Sequence, residues 1–454
     1  MQSIKIITIF ACLIISICAV SAPLAKKREV LSLSQLISRV LTANAELKMK
    51  DQDIAIAGNF ITQINANKLP TIENVSLVAP IYKDVGNALS SQEDKDTWGA
   101  FIKTSTTIVQ PIYGFGRFKH YMGAAEGGVL AEKHQKKMKS ADLIFEVKQY
   151  YYGAQGTSSG LERLEETEEK LVEVVKRVDE LLKMESGEVR KEDAYKLKAL
   201  LQELRVNKEK LIKSSKLARA GLQFKAGIPP DVEFDIQEKA LKQESFELKP
   251  LEYYQDLALK HRPEMAALKA GIEARQSMIE AEKSNKLPLF FIGGLIDVTD
   301  TANDIRNRQD SPYAYDPYNR ITPGFGLGFK WNLDIWKVNA DIEKEKAQYH
   351  KLIHQKELAE VGIPTEVKKA YLDYQEALSV ISFAKEQQGH TKKWFMQSVF
   401  AWGFGIGDSR EILESVIFKG FSDKNYYESL FNHNVAISAL TRATGTELLA
   451  NLKY

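Results

Sequence analysis

Gly324-Phe325-Gly326-Leu327-Gly328-Phe329-Lys330-Trp331 alternates without interruption between bulky apolar residues and small or charged ones. In an extended chain Phe325, Leu327, Phe329 and Trp331 share one side, and Gly324, Gly326, Gly328 and Lys330 share the other. A soluble hairpin packed on one face has this pattern, and so does a barrel strand with a lipid side and a lumen side. The surrounding sequence favours the barrel.

Upstream, Leu289 to Val298 reads as a partner strand, and the polar stretch 299–320 separates the pair (289–298 and 321–333). The pair is preceded by Asn285-Lys286-Leu287-Pro288, and Asn67-Lys68-Leu69-Pro70 is the same tetrapeptide displaced by 218 residues (288 − 70). Glu46-Leu47 and Glu264-Met265, Gly187 and Gly405, and Gly227 and Gly445 keep that displacement. The chain is a tandem duplication, with repeats at 23–248 and 249–454. Each repeat predicts a helix first (33–67 and 251–285), stopped by the shared proline. A strand pair follows, at 71–82 and 97–113 in the first copy. A long helical hairpin comes last, with its tip near Gly187 or Gly405.

The hairpins are too long for a compact domain. Arg117 to Met184 contains no proline, and Leu161, Leu164, Leu171, Val175, Val178 and Leu182 recur at coiled-coil spacing. Such a helix is roughly 100 Å long. The return helix, about 189–224, ends at Ala226-Gly227-Ile228-Pro229-Pro230.

The ends and the composition restrict function. Lys5, the apolar run 6–20 and Val20-Ser21-Ala22 read as a secretory leader cleaved after Ala22 (residues 1–22). Both cysteines, Cys12 and Cys18, lie within it, so the remainder has no thiol for a disulfide, metal site or nucleophile. Ile17 precedes Cys18 where a lipid-attachment box needs a small residue. Lys and Arg number 62 against 60 acids, a net charge of +2 that gives no reason to expect nucleic acid. No later run is apolar enough for a helical membrane span, which leaves a β-barrel as the way through a membrane. Four strands cannot close one, and open edges are not tolerated in lipid. Copies must share a wall, and three copies supply twelve strands.

In this order the motifs resemble the TolC-like outer-membrane efflux proteins over essentially the whole chain after the leader. They are Leu31-Ser32-Leu33, Asn44-Ala45-Glu46-Leu47, Lys68-Leu69-Pro70, Gln110-Pro111-Ile112-Tyr113-Gly114-Phe115-Gly116-Arg117 and the stop at Gly227. The resemblance implies a mainly α fold with membrane β: a trimeric 12-stranded barrel continuing into an α-helical periplasmic tunnel. It implies the exit duct of a tripartite efflux or type I secretion system, without enzymatic activity or cofactor. The implied partners are outer-membrane lipid, a periplasmic adaptor and an inner-membrane pump. It also implies a periplasmic gate, in which Glu411 and Glu414 line the aperture and Asp193 helps latch the tips with Trp402. Gly187 and Gly405 mark the tips where the adaptor docks. The family's latching arginine position is Gly407 here, which leaves Arg410 as a substitute. The second strand-to-helix junction, Lys330-Trp331-Asn332-Leu333-Asp334-Ile335-Trp336-Lys337, lacks the Pro and Gly of the first, so its turn is expected to be built differently.

Other signals are weaker. Gly403-Phe404-Gly405-Ile406-Gly407 lacks the Lys-Ser/Thr ending of a phosphate loop and reads as a tight turn. His350 and His354 have metal spacing but no third ligand assigned by motif. Tyr150-Tyr151-Tyr152 reads as packing. The alternative to a duct is a periplasmic adaptor or coiled-coil scaffold, which would carry one hairpin and not two hairpins with two strand pairs.

Overall fold

The structure, a computed structural model, describes residues 28–447 apart from 86–91, 185–188, 303 and 307–315. The leader (1–22) and Gly187 lie outside the described residues. The elements are β1 (Arg28–Leu31), α1 (Leu33–Ala43), α2 (Ala45–Ala66), β2 (Thr71–Asp84), β3 (Glu93–Tyr113), α3 (Arg117–Lys183) and α4 (Lys191–Lys225), followed by β4 (Glu233–Ile236). The second copy continues with α5 (Leu251–His261), α6 (Pro263–Ser284), β5 (Leu289–Thr301), β6 (Arg320–Lys330), α7 (Ile335–Gly403) and α8 (Ser409–Ala443). At the 218-residue displacement (251 − 33), α1, α2 and α4 have the same first and last positions as α5, α6 and α8.

The expected first helix of each repeat is two helices. Asn44 leaves the helical region (φ −63°, ψ 132°), and its side chain accepts from the Glu46 amide, capping α2. Arg262 breaks the second copy at the same place, with Pro263 at the first turn of α6, where a missing N–H costs nothing. The long helices α3 and α7 have 67 and 69 residues. Pro364 lies inside α7. Both repeats close identically. Gly227 (φ +62°) and Gly445 (φ +72°) take the left-handed conformation that glycine adopts without strain. The next amides, of Ile228 and Thr446, bond back to Gln223 and Thr441 in a Schellman cap.

Strands β2, β3, β5 and β6 form one antiparallel sheet in that order, with β2 and β6 as open edges. All four strands depart from the bounds the sequence suggests, with β2 and β5 running on to Asp84 and Thr301. β3 begins at Glu93, and β6 ends at Lys330, so Trp331 stands just beyond the strand and its indole donates to the Lys286 carbonyl (3.0 Å). Strands β1 and β4, unexpected from sequence, pair in parallel and tie the chain start to the inter-repeat segment.

That segment, 237–250, has no regular structure and crosses the long helices as a strap. Tyr151 bonds Glu238, Tyr152 donates to Glu244 (2.9 Å), and Asn434 bonds the Glu244 amide and the Lys242 carbonyl. Burial, reinforced by these carboxylates, holds both phenols well above their ordinary pKa of 10. A core around Leu36, Leu143, Ile144, Val147 and Leu222 lies at this level. A second core nearer the tips draws on α3, α4, α7 and α8, with Leu171, Leu197, Phe395 and Ile412 at its centre.

Candidate functional site

Two places carry functional geometry: the strand sheet and the hairpin tips. In the sheet, the register puts Phe325, Leu327 and Phe329 opposite Gly294, Ile292 and Phe290. The same face continues through Ile108 and Ile72. The predicted lipid-facing residues are bare: Phe325 is 96% exposed, Leu327 82%, Phe329 61% and Trp331 52%. This face ends in aromatic rings at both heights. Tyr113, Phe115, Phe290 and Phe329 form a chain of ring contacts at the helix end, and Tyr82 packs edge-on against Trp98 at the far end. Ile72 and Tyr82 are about 33 Å apart along β2, which a strand tilted by roughly 40° turns into a band about 25 Å tall. Asp300, opposite Ile102, is a charged residue on this face, and four polar residues within the band satisfy one another. Asn74 donates to Thr106 (2.8 Å), Ser76 to Asn74 (3.0 Å), and Ser76 meets Thr104 (3.2 Å). Groups paired in this way can face hydrocarbon. Glu73, Lys103 and Asp297 fall on the opposite face.

The two strand-to-helix junctions differ as expected. Phe115 (φ +51°) and Gly116 (φ +82°) turn the first. Asp334 (φ −72°, ψ 60°) caps the second without a left-handed residue.

At the tip of repeat two, α7 ends at Gly403. Gly405 (φ +75°) receives a Schellman cap from its own amide to Trp402 and from Ile406 to Ala401 (both 3.0 Å). The glycine-rich pentapeptide is thus a turn. Asp408 then caps α8 through the Arg410 amide (3.0 Å). Glu411, in the first turn of α8, is exposed, and among the described residues no ion pair reaches it. Glu414, one turn on, is exposed and paired with Arg410 (3.1 Å). Trp402 is half-buried against the tip core. In repeat one Asp193 is buried, and its partners are Arg190 (3.3 Å) and Lys196 (3.7 Å) on its own helix. The expected tip residues therefore fall in two groups, and among the described residues no hydrogen bond or ion pair joins Asp193 to Trp402 or Arg410 to the other hairpin. The polar ties between hairpins lie higher up. Lys419 donates to Thr167 (2.8 Å) and, on its own helix, to Asp423 (2.6 Å), and Arg163 donates to Tyr427 (3.3 Å). Nothing in the apolar periodicity revealed them, because serine, threonine and lysine leave gaps in an apolar stripe. His354 pairs with Glu357 (2.9 Å), and among the described residues no cluster could hold a metal.

Residues 255–398 match the family model for outer membrane efflux protein. The outer-membrane channel OprN shares the fold at 15% identity and TM-score 0.72, over 91% of this chain and 89% of that one. The Campylobacter jejuni CmeC outer membrane channel does so at 14% identity and TM-score 0.72, over 91% and 85%. The Vibrio cholerae outer membrane protein VceC does so at 14% identity and TM-score 0.70, over 91% and 96%. No curated protein matches the sequence. The chain thus carries a match to the outer membrane efflux protein family within its second repeat, and it shares its fold with solved outer-membrane channels over 91% of its length.

Proposed function

We propose that three copies of this chain close a twelve-stranded barrel in the outer membrane, and that their helices form a tunnel below it through which cargo leaves passively. One observation carries the reading. A four-stranded sheet with two open edges, and an apolar face bounded by two aromatic belts, stands at the end of helices of 67 and 69 residues. An open edge in hydrocarbon leaves backbone groups unpaired, at several kcal/mol each. Edge β2 of one copy against edge β6 of the next removes that cost. Glu73, Lys103 and Asp297 then face the water-filled lumen. The tips at Gly187 and Gly405 meet a periplasmic adaptor, which connects the duct to an inner-membrane pump. Glu411 and Glu414 line the aperture and draw in cations. The duct itself carries out no reaction.

Detergent extracts of outer membranes test the assembly: a trimer that dissociates on heating is expected, and a soluble monomer would overturn the reading. Single-channel currents test the acids. Glu411→Gln with Glu414→Gln should reduce the cation preference several-fold, and unchanged selectivity would remove both from the pore wall.

A further inference from the structure

Phe418 follows Glu411 by seven residues, and Phe421 follows Glu414 by seven. Seven residues are two helical turns less about 20°, so each ring stands over its carboxylate, about 10 Å further along α8. The structure leaves both phenylalanines bare, at 53% and 61% exposure. They share the exposed arc of α8 with the two acids, while Ile412, Ser415, Val416, Lys419 and Ser422 occupy the buried arc. Trp394 holds Phe418 from the side, ring centres 5.6 Å apart. The corresponding positions of repeat one are Leu200 and Glu203, 218 residues earlier (418 − 200). Two large rings on the acid-bearing face of one helix, and absent from its duplicate, belong to whatever that face does.

We propose that Phe418 and Phe421, three copies of each, form an aromatic collar in the pore above the carboxylate ring, and that the two rings together hold aromatic organic cations in transit. The inference rests on the pore-lining assignment of Glu411 and Glu414. A coiled coil keeps one face toward its axis over two turns, so residues seven apart meet the same space. The carboxylates concentrate cations at the aperture. A cation that has shed water is then attracted to the negative faces of the phenylalanine rings, and its own aromatic groups gain apolar contact. A hydrated anion gains neither.

Purified trimers in planar bilayers test this with two monovalent probes added on the tip side. Tetraphenylphosphonium is aromatic, and tetraethylammonium is not. Wild type should be blocked by tetraphenylphosphonium at lower concentration. Phe418→Ala with Phe421→Ala should weaken that block about tenfold and leave the tetraethylammonium block unchanged. Glu411→Gln with Glu414→Gln should weaken both. Phe418→Tyr with Phe421→Tyr keeps the ring faces and should keep the block, and Phe418→Leu with Phe421→Leu replaces the alanine pair if that pair fails to assemble. Because no cysteine follows Cys18, Phe418→Cys and Phe421→Cys provide single thiols, which a charged, water-soluble methanethiosulfonate should modify with a drop in current. Tetraphenylphosphonium block that survives loss of both rings, or thiols that stay unmodified in conducting channels, would overturn the collar while leaving the channel standing. A wild-type trimer that passes no current would strike the channel reading itself.

Discussion

Helices α4 and α8 hold the same place in the two repeats, and three positions buried in both carry opposite chemistry. In α4 the buried seam is Leu197, Leu201 and Leu204. In α8 the residues 218 later (415 − 197) are Ser415, Lys419 and Ser422, and all three are buried as well. Burial at these three positions therefore follows the heptad register, and the side chain decides how the seam is held. The leucines gain by being removed from water, whichever neighbour they touch. The α8 seam depends on partners: Ser422 meets Thr391 (2.5 Å), Ser415 donates to the Ile412 carbonyl (3.0 Å), and Lys419 spans Thr167 and Asp423. Hydrogen bonds of this kind are satisfied in one arrangement. The first hairpin is cemented and the second is pinned, and the pinned hairpin is the one that carries Glu411 and Glu414.

Exchanging residues between the seams breaks the comparison most directly. Leu197→Ser gives the first seam the chemistry of the second without its partners. Leu197 is 1% exposed, so the lost packing should cost roughly 4 kcal/mol, seen as an earlier thermal loss of helical signal. Lys419→Leu makes the reverse exchange. It leaves Asp423, whose side chain is 16% exposed, with Gln388 as its remaining bond in the pair's place. The expected cost is roughly 3 kcal/mol, and Lys419→Leu with Asp423→Leu should recover most of it. A single variant as stable as wild type would mean that Lys419 pins nothing.

Acid should loosen the first hairpin before the second. Glu168 on α3 is held below its ordinary value of 4.5 by Arg205 first and Lys208 second, against the opposing effect of burial. Glu46 is depressed likewise by Lys139 and Lys225. A carboxylate with a depressed folded-state pKa stabilises fully above about 4.5 and loses that contribution as pH falls through the lower value. The residue 218 after Glu168 is Glu386, which is exposed. Hydrogen exchange below pH 4.5 should therefore rise earlier in α3 and α4 than in α8. Glu168→Gln, with its partner Arg205 49% exposed, should cost about 0.5–1 kcal/mol at neutral pH and flatten the acid dependence.

Much of this was legible in the residues. The duplication was visible because Asn-Lys-Leu-Pro and two capping glycines kept their spacing, and the strand at 320–330 because strict alternation has few other causes. The breaks at Asn44 and Arg262 carried signals that periodicity passes over: an asparagine cap in one copy and a proline at the first turn in the other. The strap 237–250 was not legible, since its order comes from side chains of distant helices such as Tyr152 and Asn434. The tip acids were legible as positions but not as partners. Spacing located Asp193 and Glu411 in matching places, and only the packed chain separates their surroundings.

That separation gives the smallest effect and the sharpest contrast. Asp193 and Glu411 are the same repeat position, 218 apart (411 − 193), each in the first turn of its helix, where a negative charge faces the positive end of the helix dipole. Asp193 is 7% exposed, with two cations on its own helix. Those cations are themselves well solvated, at 70% and 59% exposure, so Asp193→Asn should cost no more than about 1 kcal/mol. Glu411 is exposed and among the described residues has no ion pair, so Glu411→Gln should change stability by less than about 0.5 kcal/mol. Thermal unfolding of the two variants side by side measures the difference. If Glu411→Gln destabilised as much as Asp193→Asn, the carboxylate would be part of the tip's structure and not free to face a pore. If Asp193→Asn cost nothing, the asymmetry between the two tips would lie in their sequence without being used by the fold.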